Sequence, residues 1–80
     1  MNPELVESMI QAELPDSQVQ VISPDGSHFE VTVISPLFAG KRRVQQHQMV
    51  YGAVKEAMAT EVIHAMALNT FTPEEWATRA

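Results

Sequence analysis

Gln18-Val19-Gln20-Val21-Ile22 is followed by Ser23-Pro24-Asp25-Gly26-Ser27 and then by His28-Phe29-Glu30-Val31-Thr32-Val33. Val19 and Val21 alternate with Gln18 and Gln20, and Phe29, Val31 and Val33 alternate with His28, Glu30 and Thr32. A period of two puts each apolar set on one face of a strand, as in a half-buried sheet. The five residues between them hold Pro and Gly, each suited to turn geometry, so the two strands form a hairpin. Upstream, Asn2-Pro3-Glu4 reads as a helix start, with a capping side chain, proline at the first helical position and an acid in the first turn. Leu5, Val6, Met9, Ile10 and Leu14 then recur at three- and four-residue spacing, an amphipathic helix that ends before Pro15.

Downstream, Pro36-Leu37-Phe38-Ala39-Gly40 interrupts the alternation, and a helix is predicted from about Lys41 to Met58 with Val44, Tyr51, Val54 and Met58 as its buried stripe. Val62 to Leu68 is short and continuously apolar and reads as a buried strand. Thr72-Pro73-Glu74-Glu75 fits a capping box, flanked by Phe71 and Trp76 at the two positions of a hydrophobic staple, so a short final helix follows. The order is α-β-β-α-β-α in one α/β domain over residues 1–80, a three-stranded mixed sheet with helices packed on it. A right-handed crossover makes the second and third strands parallel neighbours. The hairpin turn then shares an end of the sheet with the start of the third strand, which brings His28 and His64 to one edge.

Composition narrows the function. Eighty residues hide only about 60–65% of the unfolded chain's surface, so one thin core is expected and no deep substrate pocket. The chain has no cysteine, which excludes disulfides, Cys-based zinc sites, thiolate nucleophiles and a self-contained iron–sulfur site. No apolar run approaches the roughly 20 residues of a membrane span, and the start lacks the basic and apolar regions of a signal peptide. A soluble cytosolic protein is expected. The net charge of −5 argues against nucleic-acid affinity over the whole surface, which needs clustered cations. Three of the five cations are nevertheless consecutive, Lys41-Arg42-Arg43, a small basic spot on an acidic body.

No nucleophile–base arrangement, phosphate-binding glycine loop or pair of catalytic carboxylates can be assembled, and capping accounts for Glu74 and Glu75. A non-enzymatic protein is expected. His28, His47 and His64 are the candidate metal ligands. His64 lies in the apolar run Val62-Ile63-His64-Ala65-Met66, where a histidine is commonly structural. His28 opens its strand beside a glycine turn, where exposure is expected. His47 stands one turn from Val44 and Tyr51, and packing at the margin of the core is the simpler role. Lys41, Arg42 and Arg43 at a helix start oppose the helix dipole, a cost that an anionic partner would offset. A solvated cluster with weak ion pairs is the plain alternative.

Several segments together resemble one family: His28-Phe29-Glu30-Val31, Val33-Ile34-Ser35-Pro36-Leu37-Phe38-Ala39-Gly40, Gln46-His47-Gln48-Met49-Val50-Tyr51, Ile63-His64-Ala65-Met66 and Thr70-Phe71-Thr72-Pro73-Glu74-Glu75-Trp76. They look like the BolA family, closest to its short-loop bacterial branch, called IbaG or YrbA, in order over essentially the whole chain. The resemblance implies a type II KH-like fold and a cytoplasmic adaptor that pairs with a monothiol glutaredoxin. It also implies a 2Fe–2S cluster held jointly, with thiolates from the glutaredoxin and its glutathione and histidine from the BolA protein. The family's carboxy-terminal histidine ligand matches His64. Its second ligand, Cys or His in a longer hairpin loop, has no counterpart in Ser23 to Ser27, and His28 is the substitute. Family members are also linked to DNA binding and transcriptional control, for which Lys41-Arg42-Arg43 would be the contact, although Gly40-Lys41-Arg42-Arg43 lacks the Gly-x-x-Gly clamp of KH domains. Iron–sulfur adaptor is thus the first expectation, nucleic-acid-binding regulator the second, and an interaction module with neither the third.

Overall fold

The computed structural model describes residues 3–25, 28–59 and 65–79, with 56–59 and 65 described by backbone alone. Pro3 opens α1 (Pro3–Glu13), which buries Val6 and Ile10 and leaves Leu5 exposed. Asn2, the expected cap, lies outside the described residues. After Leu14 the chain turns through Asp16 at φ 66°, a left-handed conformation that Asp tolerates better than most residues. β1 (Gln18–Ile22) and β2 (His28–Ile34) pair antiparallel as the expected hairpin, Val19 opposite Val33 and Val21 opposite Val31. A 3-10 turn (Pro36–Phe38) leads to α2 (Arg43–Ala59), then β3 (Ala65–Phe71) and α3 (Pro73–Thr78). β3 lies parallel to β2, with His28 opposite Ala65 and Ile34 opposite Phe71, and the sheet order is β1-β2-β3. The three-stranded mixed sheet and its parallel crossover are those expected from the sequence.

The inward sheet residues Val19, Phe29, Val31 and Val33 pack with Val6, Ile10 and Leu14, with Phe38, and with Val50 and Val54 of α2. Met9, Met49, Met66 and Leu68 close the margin of this core. At α3 the capping box forms in full, with Glu75 N–H donating to Thr72 Oγ1 and Thr72 N–H to Glu75 Oε1. Phe71 and Trp76 meet edge to face at 5.3 Å, the expected staple.

Two expectations are corrected. Val44 and Tyr51 are not buried: 56% and 36% of their surfaces are exposed, and the inward row of α2 is Gln46, Val50 and Val54. At about 100° per residue, Val44 lies roughly 200° around the helix from Gln46. The row is hard to see in the sequence because its first member is an amide. The side chain of Met58 lies outside the described residues. The third strand also reaches three residues beyond Leu68, to Phe71, because its inward alternation continues at Thr70 and Phe71 is needed under Trp76. Residues 62–64 of the expected strand lie outside the described residues.

The Gln46 amide ties these elements together. It is 6% exposed, and its Nε2 donates to the carbonyls of Phe38 (3.2 Å) and Lys41 (3.0 Å). Its Oε1 accepts from Thr70 Oγ1 at 2.7 Å. The turn it fastens passes through Gly40 at φ 76°, a backbone region that favours glycine. Ser35 N–H donates to Phe71 C=O and carries the parallel pairing one step past β2. Removing the amide leaves the buried Thr70 hydroxyl without its acceptor and takes a donor from the part-buried Lys41 carbonyl and from the Phe38 carbonyl, which keeps Lys41 N–H. A buried polar group left unmatched costs about 1–3 kcal/mol. Gln46→Leu should therefore lower stability by about 2–3 kcal/mol, read as an earlier urea midpoint. An unchanged midpoint would show that the turn does not depend on the amide.

Candidate functional site

The hairpin end of the sheet holds the first candidate. His28 begins β2 and faces away from the core, while its neighbour Phe29 is 2% exposed and faces in. Three bonds fix His28 to the short loop. Its N–H donates to Asp25 Oδ1 at 2.9 Å, its carbonyl accepts from Ser23 Oγ at 2.8 Å, and its ring Nδ1 lies 2.7 Å from Asp25 Oδ2. The imidazole remains 65% exposed. Beside it, Pro24, Phe29, Glu30 and Ala67 complete a shallow hollow of about 270 Å³.

His64 lies outside the described residues. Its chain neighbour Ala65 registers opposite His28, so the start of β3 and the hairpin turn share an end of the sheet, as the topology predicts. His47 stands apart. It follows Gln46, whose amide bonds Thr70, and Thr70 is five residues along β3 from Ala65, about 16 Å at roughly 3.3 Å per residue. His47 is half-buried, and its Nε2 is enclosed with no hydrogen-bond partner among the described residues. That is the core-margin position expected of it.

The basic spot lies at the end of the sheet away from His28. Lys41, Arg42 and Arg43 are all exposed, and only Arg43 is inside α2. The helix thus begins two residues later than expected. Arg42 precedes it as a cap: its carbonyl accepts from Gln46 N–H, and its own N–H donates to Gln45 Oε1 at 2.8 Å. Gln45 does here what Glu75 does for α3. Among the described residues, none of the three cations forms an ion pair. The structure does not bring this spot and His28 together.

Asp25, Gln46 and Thr70 are the residues that pattern reading missed. Asp25 had a signal, an acid three residues before a histidine across a Gly-containing turn. Gln46 had only its i, i+4, i+8 spacing to Val50 and Val54. Among the described residues no three of His, Asp and Glu gather as a metal cage, and no helix is long and apolar enough to cross a membrane. Among the described residues the hairpin edge thus offers one exposed imidazole, that of His28, too few ligands to hold a metal by itself.

The family model described as BolA, BolA-like protein, matches residues 7–75. The chain belongs to the BolA family. It is 42% identical over 72 residues to the Acid stress protein IbaG of Escherichia coli (strain K12), covering 90% of this chain and 84% of that protein. It is 35% identical over 85 residues to the DNA-binding transcriptional regulator BolA of Vibrio cholerae, covering 95% of this chain and 79% of that one. Among solved structures, a bolA protein homologue from Coxiella burnetii superposes with a TM-score of 0.84 at 33% identity, covering 96% of this chain and 97% of that one. The BolA-family relatives are named as a stress protein and a regulator, not as enzymes. The likeness to IbaG agrees with the branch suggested by the sequence.

An enclosed ring nitrogen without a partner gains nothing from its polarity. His47→Leu should hence leave stability unchanged or raise it by up to about 1 kcal/mol in a thermal melt. A clear fall in the midpoint would assign the ring a polar partner.

Proposed function

We propose that this BolA-family chain is a non-enzymatic cytoplasmic adaptor that pairs with a monothiol glutaredoxin and shares a 2Fe–2S cluster with it, in cluster trafficking or iron and stress regulation. The observation that carries this reading is the register of His28 opposite Ala65. It leaves one fixed, exposed imidazole at the strand end that His64 adjoins in the chain. His64 is the principal ligand and His28 the second. Each iron of a 2Fe–2S cluster needs two ligands besides the bridging sulfides, and imidazoles can replace thiolates. A chain without cysteine supplies at most the histidine side, and the glutaredoxin with its glutathione supplies the sulfur. The cluster is cargo held between two proteins, and its redox chemistry is its own.

Anaerobic mixing with reduced monothiol glutaredoxin, glutathione, ferrous iron and sulfide should give a coloured heterodimer, while the isolated chain treated identically stays colourless. A cluster on the pure chain without added thiol would refute the shared site. In the heterodimer His64→Ala should abolish the spectroscopic signature of nitrogen ligation and speed cluster release, with a weaker effect for His28→Ala. Unchanged spectrum and lifetime in His64→Ala would remove it from the ligand set.

A second reading, a small KH-like regulator that binds DNA, is favoured by the three exposed cations beside the start of α2 and by the name of the Vibrio cholerae relative. Up to three phosphate contacts would come from Lys41, Arg42 and Arg43. Replacing all three by Gln should then flatten the log–log salt dependence of DNA affinity by up to about three units. On the adaptor reading the same variant instead slows association with glutaredoxin, chiefly at low ionic strength. Loss of DNA binding with glutaredoxin association unchanged reverses the order of the two readings.

A further inference from the structure

The short loop does more than close the hairpin. An ionised carboxylate has acceptor sites only. The 2.7 Å contact between His28 Nδ1 and Asp25 Oδ2 therefore requires the hydrogen to sit on Nδ1. When the ring is neutral, its lone pair is then on Nε2, on an imidazole that is 65% exposed. The other carboxylate oxygen, Oδ1, accepts from the main-chain N–H of the same residue at 2.9 Å. One carboxylate thus holds both the backbone and the ring of His28, and Ser23 Oγ holds its carbonyl. Histidines that bind metals commonly donate their second ring N–H to a carboxylate, which sets the tautomer and aims the ligating nitrogen. An exposed ion pair adds little to stability, so folding alone gives little reason for the arrangement.

We infer that Asp25 is a positioning residue that fixes the tautomer and direction of His28, so that Nε2 is the nitrogen this loop offers to iron. The inference rests on the adaptor reading for its ligand, and on the loop geometry alone for the tautomer. It gives the five-residue loop, which holds neither Cys nor His, a way to contribute to ligation.

The test uses Asp25→Ser. A serine hydroxyl can still accept from the main-chain N–H and preserve the turn, but it is too short to hold the ring. Freed into water, a histidine side chain prefers its proton on Nε2. Long-range proton–nitrogen NMR of the isolated chain at mildly alkaline pH reads the two ring nitrogens of His28 directly, without any cluster. The parent should show a protonated Nδ1 and a bare Nε2, and Asp25→Ser should invert the preference while the other two histidines keep their signals. The glutaredoxin heterodimer loaded with a 2Fe–2S cluster should release it faster with Asp25→Ser, by the same factor as with His28→Ala, and the double variant should add nothing further. A parent ring protonated on Nε2, or a tautomer indifferent to Asp25→Ser, overturns the inference. An inverted tautomer with unchanged cluster release overturns its ligand half and removes His28 from the site. If the parent forms no mixed cluster at all, the adaptor reading falls, and the NMR result still decides what Asp25 does to His28.

Discussion

The parallel pairing that sets β3 beside the hairpin edge is fastened at the other end of the sheet by one buried amide. Gln46 accepts from Thr70 on β3 while donating to the carbonyls of Phe38 and Lys41 in the turn that leads out of β2. A parallel pair has no tight turn to set its register, so the crossover must do so. Here one end of the crossover is pinned to the far strand by a side chain whose bonds run to buried or part-buried groups. A slip of one residue would leave Thr70 pointing outward and the amide with an unmatched acceptor. The penalty for a buried unpaired polar group thereby becomes a penalty for misregister. The same register, carried five residues back from the Val33–Thr70 pair, sets Ala65 opposite His28.

Much of this was legible in the sequence because it rests on short-range rules. Strict alternation in Val19, Val21, Phe29, Val31 and Val33 gave the hairpin and its inward face, and Thr72 with Glu75 gave the start of the last helix to the residue. The parts misplaced in the core involve buried polar groups. Val44 and Tyr51 look like core residues by composition, yet α2 is turned so that Gln46 faces in. The apparent apolar run ended at Leu68, before Asn69, although Thr70 just beyond it is fully buried. Hydrophobic pattern reading finds where oil goes. It does not find where a buried hydrogen bond replaces it, because that depends on a partner 24 residues away in the chain.

The candidate site was legible in the same measure. Topology alone predicts that the turn and the third strand's start share an edge, and the pairing of His28 with Ala65 has that form. The assignment of His64 came from resemblance rather than pattern, since its apolar neighbours point to a core residue equally well. Asp25 was hidden by its ordinariness. An acid before glycine in a turn is first read as turn chemistry, and its bond to His28 N–H is indeed of that kind. Only the geometry adds that its second oxygen meets the ring.

The two candidate surfaces can be treated as independent on electrostatic grounds. Ile34 and His28 stand six residues apart on β2, about 20 Å at roughly 3.3 Å per residue. The basic spot lies beyond Ile34, past the turn at Pro36–Phe38. Screening at physiological ionic strength has a length of about 8 Å, so the cations exert little field on a ligand at the hairpin edge. On the proposed adaptor reading, any influence of the basic spot on a cluster at that edge would come through a partner that spans both, or through the fold. Both routes leave marks that direct field effects do not. A spanning partner makes the effect disappear when the partner is absent, and the fold route passes through Gln46, whose loss lowers stability as well.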